Sequence, residues 1–493
     1  MGIVALSKEN TVQSWKGEAS NLVTKGIDLP IKLEELKHSK AVYLLFLIPV
    51  ILAYVSWQFF PLFADWLITR VFGYNVAAQP PNWLWHSIVF FFYSWYTFLA
   101  IGIAGVWAVA AWVAKTRRDS AKQVYYPMVS LIVPAYNEER NISRCLESLF
   151  KCAKNYHGPC EIIVVDDGST DCTYEVAWAT VELNRRKHPH IRGKVIRHSA
   201  NLGKSEAIKT GVSKALGGLI GIVDADSWWM PNTLVRLVDF MLLNGKKAVT
   251  GYVHPSDGNA EVNPYVVLQQ LEYSQGLGVA RCAQSLGNNV LVVSGAIGLY
   301  DADVLRGILD EKSLRSVTED LEITLEMHKK GAHVGYVNVA TSLTVVPSSF
   351  SMLWNQRLRW FTGWLHNTLG IHKDLLLKRS WLSLLLWYCY IFEYGGAFVD
   401  LAALFAFPFL FWFAPDQIFF VINLLVFASY GLLIGVINQA IALKYAYNKH
   451  NYRALLYYTP FYPILRLINI LARSTSSVKY LFGDHGNWHS VKS

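Results

Sequence analysis

Leu219-Ile220-Gly221-Ile222-Val223-Asp224-Ala225-Asp226 is the stretch that decides the fold. An uninterrupted apolar run rich in β-branched residues reads as a strand covered on both faces, and the chain then turns abruptly acidic. Carboxylates at i and i+2 on an extended chain point to the same side, where two like charges repel unless a cation lies between them. Oxygen-only donors of this kind favour Mg²⁺ or Mn²⁺, either of which can bridge to a diphosphate. A solvated loop is the plainer alternative, but an acidic pair directly after a fully apolar strand favours the metal.

Outward from this strand, short β-rich runs alternate with helical ones. Met128–Val133, Glu161–Val165, Lys194–Arg197 and Lys247–Val253 read as further strands. Helices are expected over Glu138–Asn155, Cys172–Lys187, Lys204–Ala215 and Leu321–Lys330. Such alternation predicts an α/β domain on a mostly parallel sheet, with ligands gathered at the carboxyl ends of the strands.

The flanks have a different composition. The chain is 53% hydrophobic and 16% charged, with 18 Trp, so part of it belongs in lipid. Apolar runs at Ala41–Phe63, His86–Ala114, Trp381–Phe413 and Ile418–Leu443 are each long enough for a hydrocarbon core of about 30 Å. Leu455–Phe482 is interrupted by Pro460, Pro463, Arg466 and Arg473, and reads either as a fifth span or as an interfacial segment. Lys115, Arg117, Arg118 and Lys122 directly follow the second run, which places the amino terminus and the α/β domain in the cytosol. The net charge of +9 reflects such juxtamembrane clusters, so no nucleic-acid partner is expected. The expected organisation is a cytosolic leader (1–40), two transmembrane helices (41–114), a cytosolic catalytic domain (115–350), an amphipathic interface helix (351–375) and two or three further membrane or interfacial helices (376–493). The six cysteines form no CxxC pair and read as reduced thiols.

Several constellations carry chemistry. Asp166-Asp167-Gly168-Ser169-Thr170-Asp171 closes a strand ahead of a helix; its carboxylates suit a base edge or a ribose hydroxyl, and helix capping competes as an explanation. Lys204, after Asn201-Leu-Gly203, lies at a helix amino terminus and suits a phosphate. Thr318-Glu319-Asp320 precedes a helix, where a carboxylate could act as general base toward a sugar hydroxyl or simply cap the helix. In Ser351–Lys373, Trp354, Leu358, Phe361, Leu365 and Leu369 form an expected apolar stripe, while Gln356, Arg359 and Trp360 share another face. An Arg fork suits a phosphate and an indole suits a sugar face.

Val133-Pro-Ala-Tyr136-Asn137-Glu138-Glu139, Asp166-Asp167-Gly168-Ser169, Asp224-Ala-Asp226, Thr318-Glu319-Asp320 and Gln356-Arg-Leu-Arg359-Trp360 occur in this order inside a membrane frame. The set resembles the membrane-embedded processive family 2 glycosyltransferases, most of all the poly-N-acetylglucosamine synthases, with hyaluronan, chitin and cellulose synthases as relatives. Thr459-Pro-Phe-Tyr-Pro463 resembles a proline-aromatic segment of those synthases, and Gly486-Asn487-Trp488-His489 is the one candidate for their gating segment. The resemblance implies a GT-A-type domain inserted between transmembrane helices. Tyr136 and Glu138, with Asp166 or Asp167, would hold the uridine of a UDP-sugar. Lys204, Gln356 and Arg359 would contact the diphosphate, and Asp224 and Asp226 would bind nucleotide and metal. Asp320, within Thr318-Glu319-Asp320, would be the base, and Trp360, Ser294 and Gly295 would meet the acceptor. The implied protein lies in the plasma membrane and extends a polysaccharide. Ceramide glucosyltransferases share part of the pattern, so a lipid acceptor stays open, as does an accessory subunit; the alternative from another class is a membrane transporter or scaffold with an inactive nucleotide-sugar domain, against which the full set of acidic motifs speaks.

Overall fold

The computed structural model describes residues 98–116, 125–256, 263–413, 417–445 and 452–483 continuously, with scattered positions between 47 and 96. The expected leader, most of the first expected span and the segment around Trp488 lie outside the described residues.

The central domain begins with β1 (Val129–Ala135), α1 (Ile142–Asn155), β2 (Cys160–Asp166), α2 (Thr173–Lys187), β3 (Arg192–Arg197), α3 (Lys204–Ser213), β4 (Leu219–Ile222) and β5 (Ser227–Trp229). It continues with α4 (Thr233–Leu243), β6 (Ala248–Ser256), α5 (Pro264–Tyr273), β7 (Gly298–Asp301), α6 (Ala302–Glu311), α7 (Glu319–Lys329) and β8 (Val334–Val345). One eight-stranded sheet results, in the order β3-β2-β1-β4-β7-β6-β8-β5. The strands β7 and β5 run against the other six, so the expectation of a mostly parallel sheet holds.

Side-chain alternation explains why both faces are covered. Leu131 and Val133 of β1 pack with α1, α2 and α4 through Leu146, Val181 and Leu237. Ile132, between them, faces the other side and joins Ile208 of α3 and Leu305 of α6. Successive connections carry the chain from β1 out to β3, and it then crosses back to β4 on the other side of β1. This reversal opens a crevice at the carboxyl ends of β1 and β4. The segment that carries Ser294 and Gly295 leads directly into β7 (Gly298–Asp301), antiparallel to β4 and outside the strands expected from the sequence.

Beyond the sheet, Ser349 accepts a hydrogen bond from Met352 N and starts α8 (Phe350–Leu365), which runs on into a π-helical turn, His366–Ile371. The expected single apolar stripe is not what the helix buries. Its buried residues are Leu353, Arg357, Thr362, Gly363 and Leu365, while Leu369 is exposed. The helix packs on two sides at once, and the π-turn shifts the phase of every residue after Leu365.

Ser94–Ala114 and Trp381–Ala406 are helices long and apolar enough to cross a membrane. The 29-residue α9 (Gln417–Tyr445) follows, at a length of about 44 Å. The ambiguous last segment holds α10 (Tyr462–Leu481), which packs along α8. Its arginines are tied to protein carboxylates, Arg466 to Asp400 at 3.1 Å and Arg473 to Glu393 at 3.2 Å.

A buried polar clamp fixes the approach to β4. Glu161 Oε1 accepts from Ser130 Oγ and from Leu216 N, each at 2.6 Å, and Ser130 Oγ accepts from Gly217 N at 2.8 Å. Glu161→Ala strips partners from one buried and one part-buried donor, a loss of about 1–3 kcal/mol. The expected outcome is a thermal midpoint several degrees lower, measured on purified protein in detergent, with secondary structure unchanged by circular dichroism.

Candidate active site

Three loops at the carboxyl ends of β1, β2 and β3 are laced together by short polar contacts. Asn137, with φ of 53°, accepts from Thr170 N through Oδ1 at 2.9 Å, and its own N donates to Ser169 Oγ at 3.0 Å. Glu138 N donates to Thr173 Oγ1 at 2.7 Å. Gly168, with φ of +68°, presses on the third loop, where a Cβ would lie 2.5 Å from Ala200 C.

Asp167 holds that third loop. Its carboxylate accepts from Leu202 N at 3.0 Å and Gly203 N at 2.7 Å, and His198 Nδ1 lies 2.7 Å away. Asp166 is fully buried, with Arg197 Nε 3.2 Å from Oδ2. Both acids therefore direct their oxygens into the protein, whereas the sequence reading had one of them facing a ligand directly. Tyr136 is half-buried beside them, and the Glu138 carboxylate accepts from Asn141 Nδ2 at 2.9 Å.

The loop so held delivers Lys204 as the first residue of α3. Its Nζ lies 2.6 Å from Asp224 Oδ1 and 2.5 Å from Glu319 Oε1. One ammonium thus joins the Asp224-Ala-Asp226 turn to Thr318-Glu319-Asp320, which lies 94 positions later (318 − 224). Burial opposes the Lys204 charge, but Asp224 and Glu319 overcome it and hold the ammonium above its usual range. Burial, and then the Asp224 charge, push the Asp226 carboxyl up to about 6. Burial, and then Glu319, push Asp320 up to about 6 as well.

Asp226 accepts from Ser227 Oγ at 3.3 Å and from Thr344 Oγ1 at 3.5 Å. Asp224 N donates to Gly295 O at 2.9 Å, and a Cβ on Gly295 would lie 2.9 Å from both Asp224 carboxylate oxygens. Ser294, half-buried, donates through its N to Thr250 Oγ1 at 3.3 Å. Among the described residues no three His, Cys, Asp or Glu side chains gather around one point. The donor set for a hard cation is the Asp224 and Asp226 pair, with remaining positions left to oxygens of a ligand or water. The raised Asp226 carboxyl is the strain such a cation would relieve, so the residues fit.

Matching these residues, the model of the family described as "Glycosyltransferase like family 2" covers residues 127–363. These residues are a family 2 glycosyltransferase domain. An N-acetylglucosaminyltransferase of Mesorhizobium japonicum is 28% identical over 265 residues, which cover 52% of this chain and 60% of the relative. A β-monoglucosyldiacylglycerol synthase of Synechocystis is 30% identical over 254 residues, 49% of each chain. A poly-β-1,6-N-acetyl-D-glucosamine synthase of Staphylococcus epidermidis is 24% identical over 257 residues, 52% of this chain and 57% of the relative. The matched region thus spans about half to three fifths of these relatives. A solved mannosyltransferase of Pyrobaculum calidifontis, in complex with GDP-mannose and Mn²⁺, superposes at a TM-score of 0.47 with 17% identity, covering 78% of this chain and 97% of that one.

The segment before α7 is joined to α8 and the turn after it by contacts that sequence reading missed. Thr318 does not cap α7; its Oγ1 accepts from Asn367 Nδ2 at 3.0 Å, and Asn367 also donates to Ser316 Oγ at 2.7 Å and Gly363 O at 3.1 Å. Gly363 admits Thr318 closely, since a Cβ there would lie 2.5 Å from Thr318 Oγ1. On α8, Arg359 is exposed and without an ion pair among the described residues, and Gln356 and Trp360 are half-buried. The buried arginine is Arg357, two residues before Arg359 and between Gln356 and Leu358, for which the sequence pattern gave no signal.

Gly295→Ala is expected to displace the Asp224 carboxylate and lower glycosyl transfer by roughly a hundredfold, the order of loss that follows a 1 Å misplacement. Initial rates against a nucleotide-sugar donor, together with an unchanged thermal midpoint, check this.

Proposed function

We propose that this protein is an inverting, metal-dependent family 2 glycosyltransferase that extends a β-linked polysaccharide from a UDP-sugar, with UDP-N-acetylglucosamine as the donor. It works at the cytosolic face of the plasma membrane, with its amino terminus cytosolic, and passes the product through its own helices. The observation that carries the reading is the Lys204 ammonium held between Asp224 and Glu319, which brings the Asp224-Ala-Asp226 turn and the Thr318-Glu319-Asp320 segment to one place. The names of the N-acetylglucosamine-transferring relatives support the choice of sugar.

Residue roles follow from position. Tyr136 and Glu138 border the uridine, and Asp166 and Asp167 serve that pocket by fixing its walls. Asp224 and Asp226 would hold Mg²⁺ or Mn²⁺, which when bound neutralises charge on the diphosphate. Lys204, with Gln356 and Arg359 of α8, supplies further positive charge and hydrogen bonds to that leaving group. Asp320 takes the proton of the acceptor hydroxyl as its oxygen attacks the anomeric carbon and the bond to UDP breaks on the opposite face. Thr318 and Glu319 position this base, through Asn367 and Lys204 respectively. Trp360, Ser294 and Gly295 border the acceptor. With no second carboxylate assigned as nucleophile, the displacement is single and an α-linked donor gives a β-linked product.

A second reading, addition of one sugar to a membrane lipid, is favoured by the 30% identity to the Synechocystis lipid glucosyltransferase. Purified protein in nanodiscs, given Mg²⁺ or Mn²⁺ and a panel of radiolabelled UDP-sugars, distinguishes the two. A high-mass, glycosidase-sensitive product from UDP-N-acetylglucosamine is expected, and EDTA should abolish it. Label confined to the lipid extract would establish the second reading, with no need for an accessory subunit in either case if transfer occurs.

Asp320 must be deprotonated to accept a proton, and its carboxyl is raised to about 6. Transfer should therefore rise with pH and be half-developed near pH 6, falling on the acid side. Asp320→Asn should remove transfer while leaving UDP affinity by calorimetry within about threefold, a change of under 1 kcal/mol. Retained transfer by this variant would overturn the assignment of the base.

A further inference from the structure

Arg357 is only 1% exposed and is the largest fully buried side chain in the described residues. A buried guanidinium is costly, and a leucine or methionine at this position of α8 would pack without that cost. Its presence therefore calls for a role that an apolar residue could not fill.

The contacts name one. Arg357 Nη2 lies 2.5 Å from Glu272 Oε2 of α5. The other oxygen of that carboxylate accepts from Asn469 Nδ2 of α10 at 2.7 Å. Glu272 is thus gripped from two helices and cannot swing. Arg357 Nε, by contrast, is buried with no hydrogen-bond partner. The guanidinium does not use every donor; its central carbon lies over the indole of Trp360, 4.5 Å from the ring centroid and one helical turn along α8. The next residue repeats the arrangement. Arg473 of α10, tied to Glu393 at 3.2 Å, lies 4.5 Å from the Phe361 ring centroid.

We infer that Arg357 is a positioning residue that fixes the plane of the Trp360 indole, and that Glu272 and Asn469 hold Arg357 in place for that purpose. Its value to the reaction rests on the reading above that Trp360 meets the acceptor. A sugar packs on an aromatic face, so the orientation of the indole decides how the terminal acceptor residue lies. The ion pair reaches from α5 of the catalytic domain to α8 and, through Asn469, to α10. The indole is therefore registered to both the domain and the terminal helix.

Arg357→Lys keeps the charge and its reach to Glu272 but removes the flat stacking face. The full chain, labelled with 5-fluorotryptophan in nanodiscs, reports on this by fluorine NMR, with Trp360→Phe identifying the Trp360 line. In Arg357→Lys and in Glu272→Gln that line should move and broaden while the other tryptophan lines and UDP affinity stay as in the parent. The KM for an N-acetylglucosamine tetrasaccharide should rise about tenfold with kcat little changed, the scale of a desolvated cation–π contact. A pair that merely ties α5 to α8 would lower the thermal midpoint and leave both the Trp360 line and acceptor KM alone; that result would overturn the proposal. If Trp360→Ala leaves acceptor KM unchanged, the reading of Trp360 as an acceptor contact fails, and the fluorine line alone still decides whether Arg357 orients the ring.

Discussion

Carboxylates gathered from separate parts of a chain do not stay together unless positive charge lies between them. Asp224 arrives at the end of β4 and Glu319 at the start of α7, and Lys204 Nζ lies within 2.6 Å of an oxygen of each. Lys204 is in turn placed by the Asp167 carboxylate, which accepts from the two backbone amides directly before it. Asp226 and Asp320 stand just outside this contact, and both are left with raised carboxyl pKa values because burial and a like charge act on them together. A divalent cation is the kind of group that would offset this repulsion.

A crevice of this kind is a product of topology. The crossing from β3 back over β1 to β4 leaves the ends of β1 and β4 without a covering connection, and the acidic turn falls there. The antiparallel β7 then brings Gly295 against Asp224, where only a residue without a side chain leaves the carboxylate in place. On the far side, Asn367 and Gly363 dock α8 against Thr318, so the helix bearing Arg359 and Trp360 is fixed to the same loop as the candidate base. Two adjacent aromatic rings on that helix are backed by arginines, Trp360 by Arg357 and Phe361 by Arg473. This gives the apolar end of the molecule a rigid polar lining where it meets the catalytic domain.

Much of the central domain was legible in the chain itself. Apolar runs such as Leu219–Val223, short and followed by a turn, read as strands covered on both faces, and amphipathic runs such as Ile142–Asn155 read as helices with one face buried; both were placed to within a few residues. The boundary of α1 differed because Glu138 to Asn141 form a turn laced to the next loop through Thr173, a long-range contact without a local signature. The strand β7 was missed because a four-residue strand that begins on a glycine has no period to read.

By itself the sequence determined the α/β domain, its position between apolar helices, and which acidic and aromatic residues would be candidates, because periodicity and residue chemistry are local properties. Only the tertiary structure decided how those candidates are used. Asp166 and Asp167 became supports because hydrogen bonds to residues 197 to 203 outcompete exposure. Thr318 turned from capping its helix to receiving Asn367, and the buried arginine of α8 proved to be Arg357 beside the exposed Arg359. Each of these outcomes depends on which distant group arrives within hydrogen-bonding reach, and spacing along the chain carries no record of that.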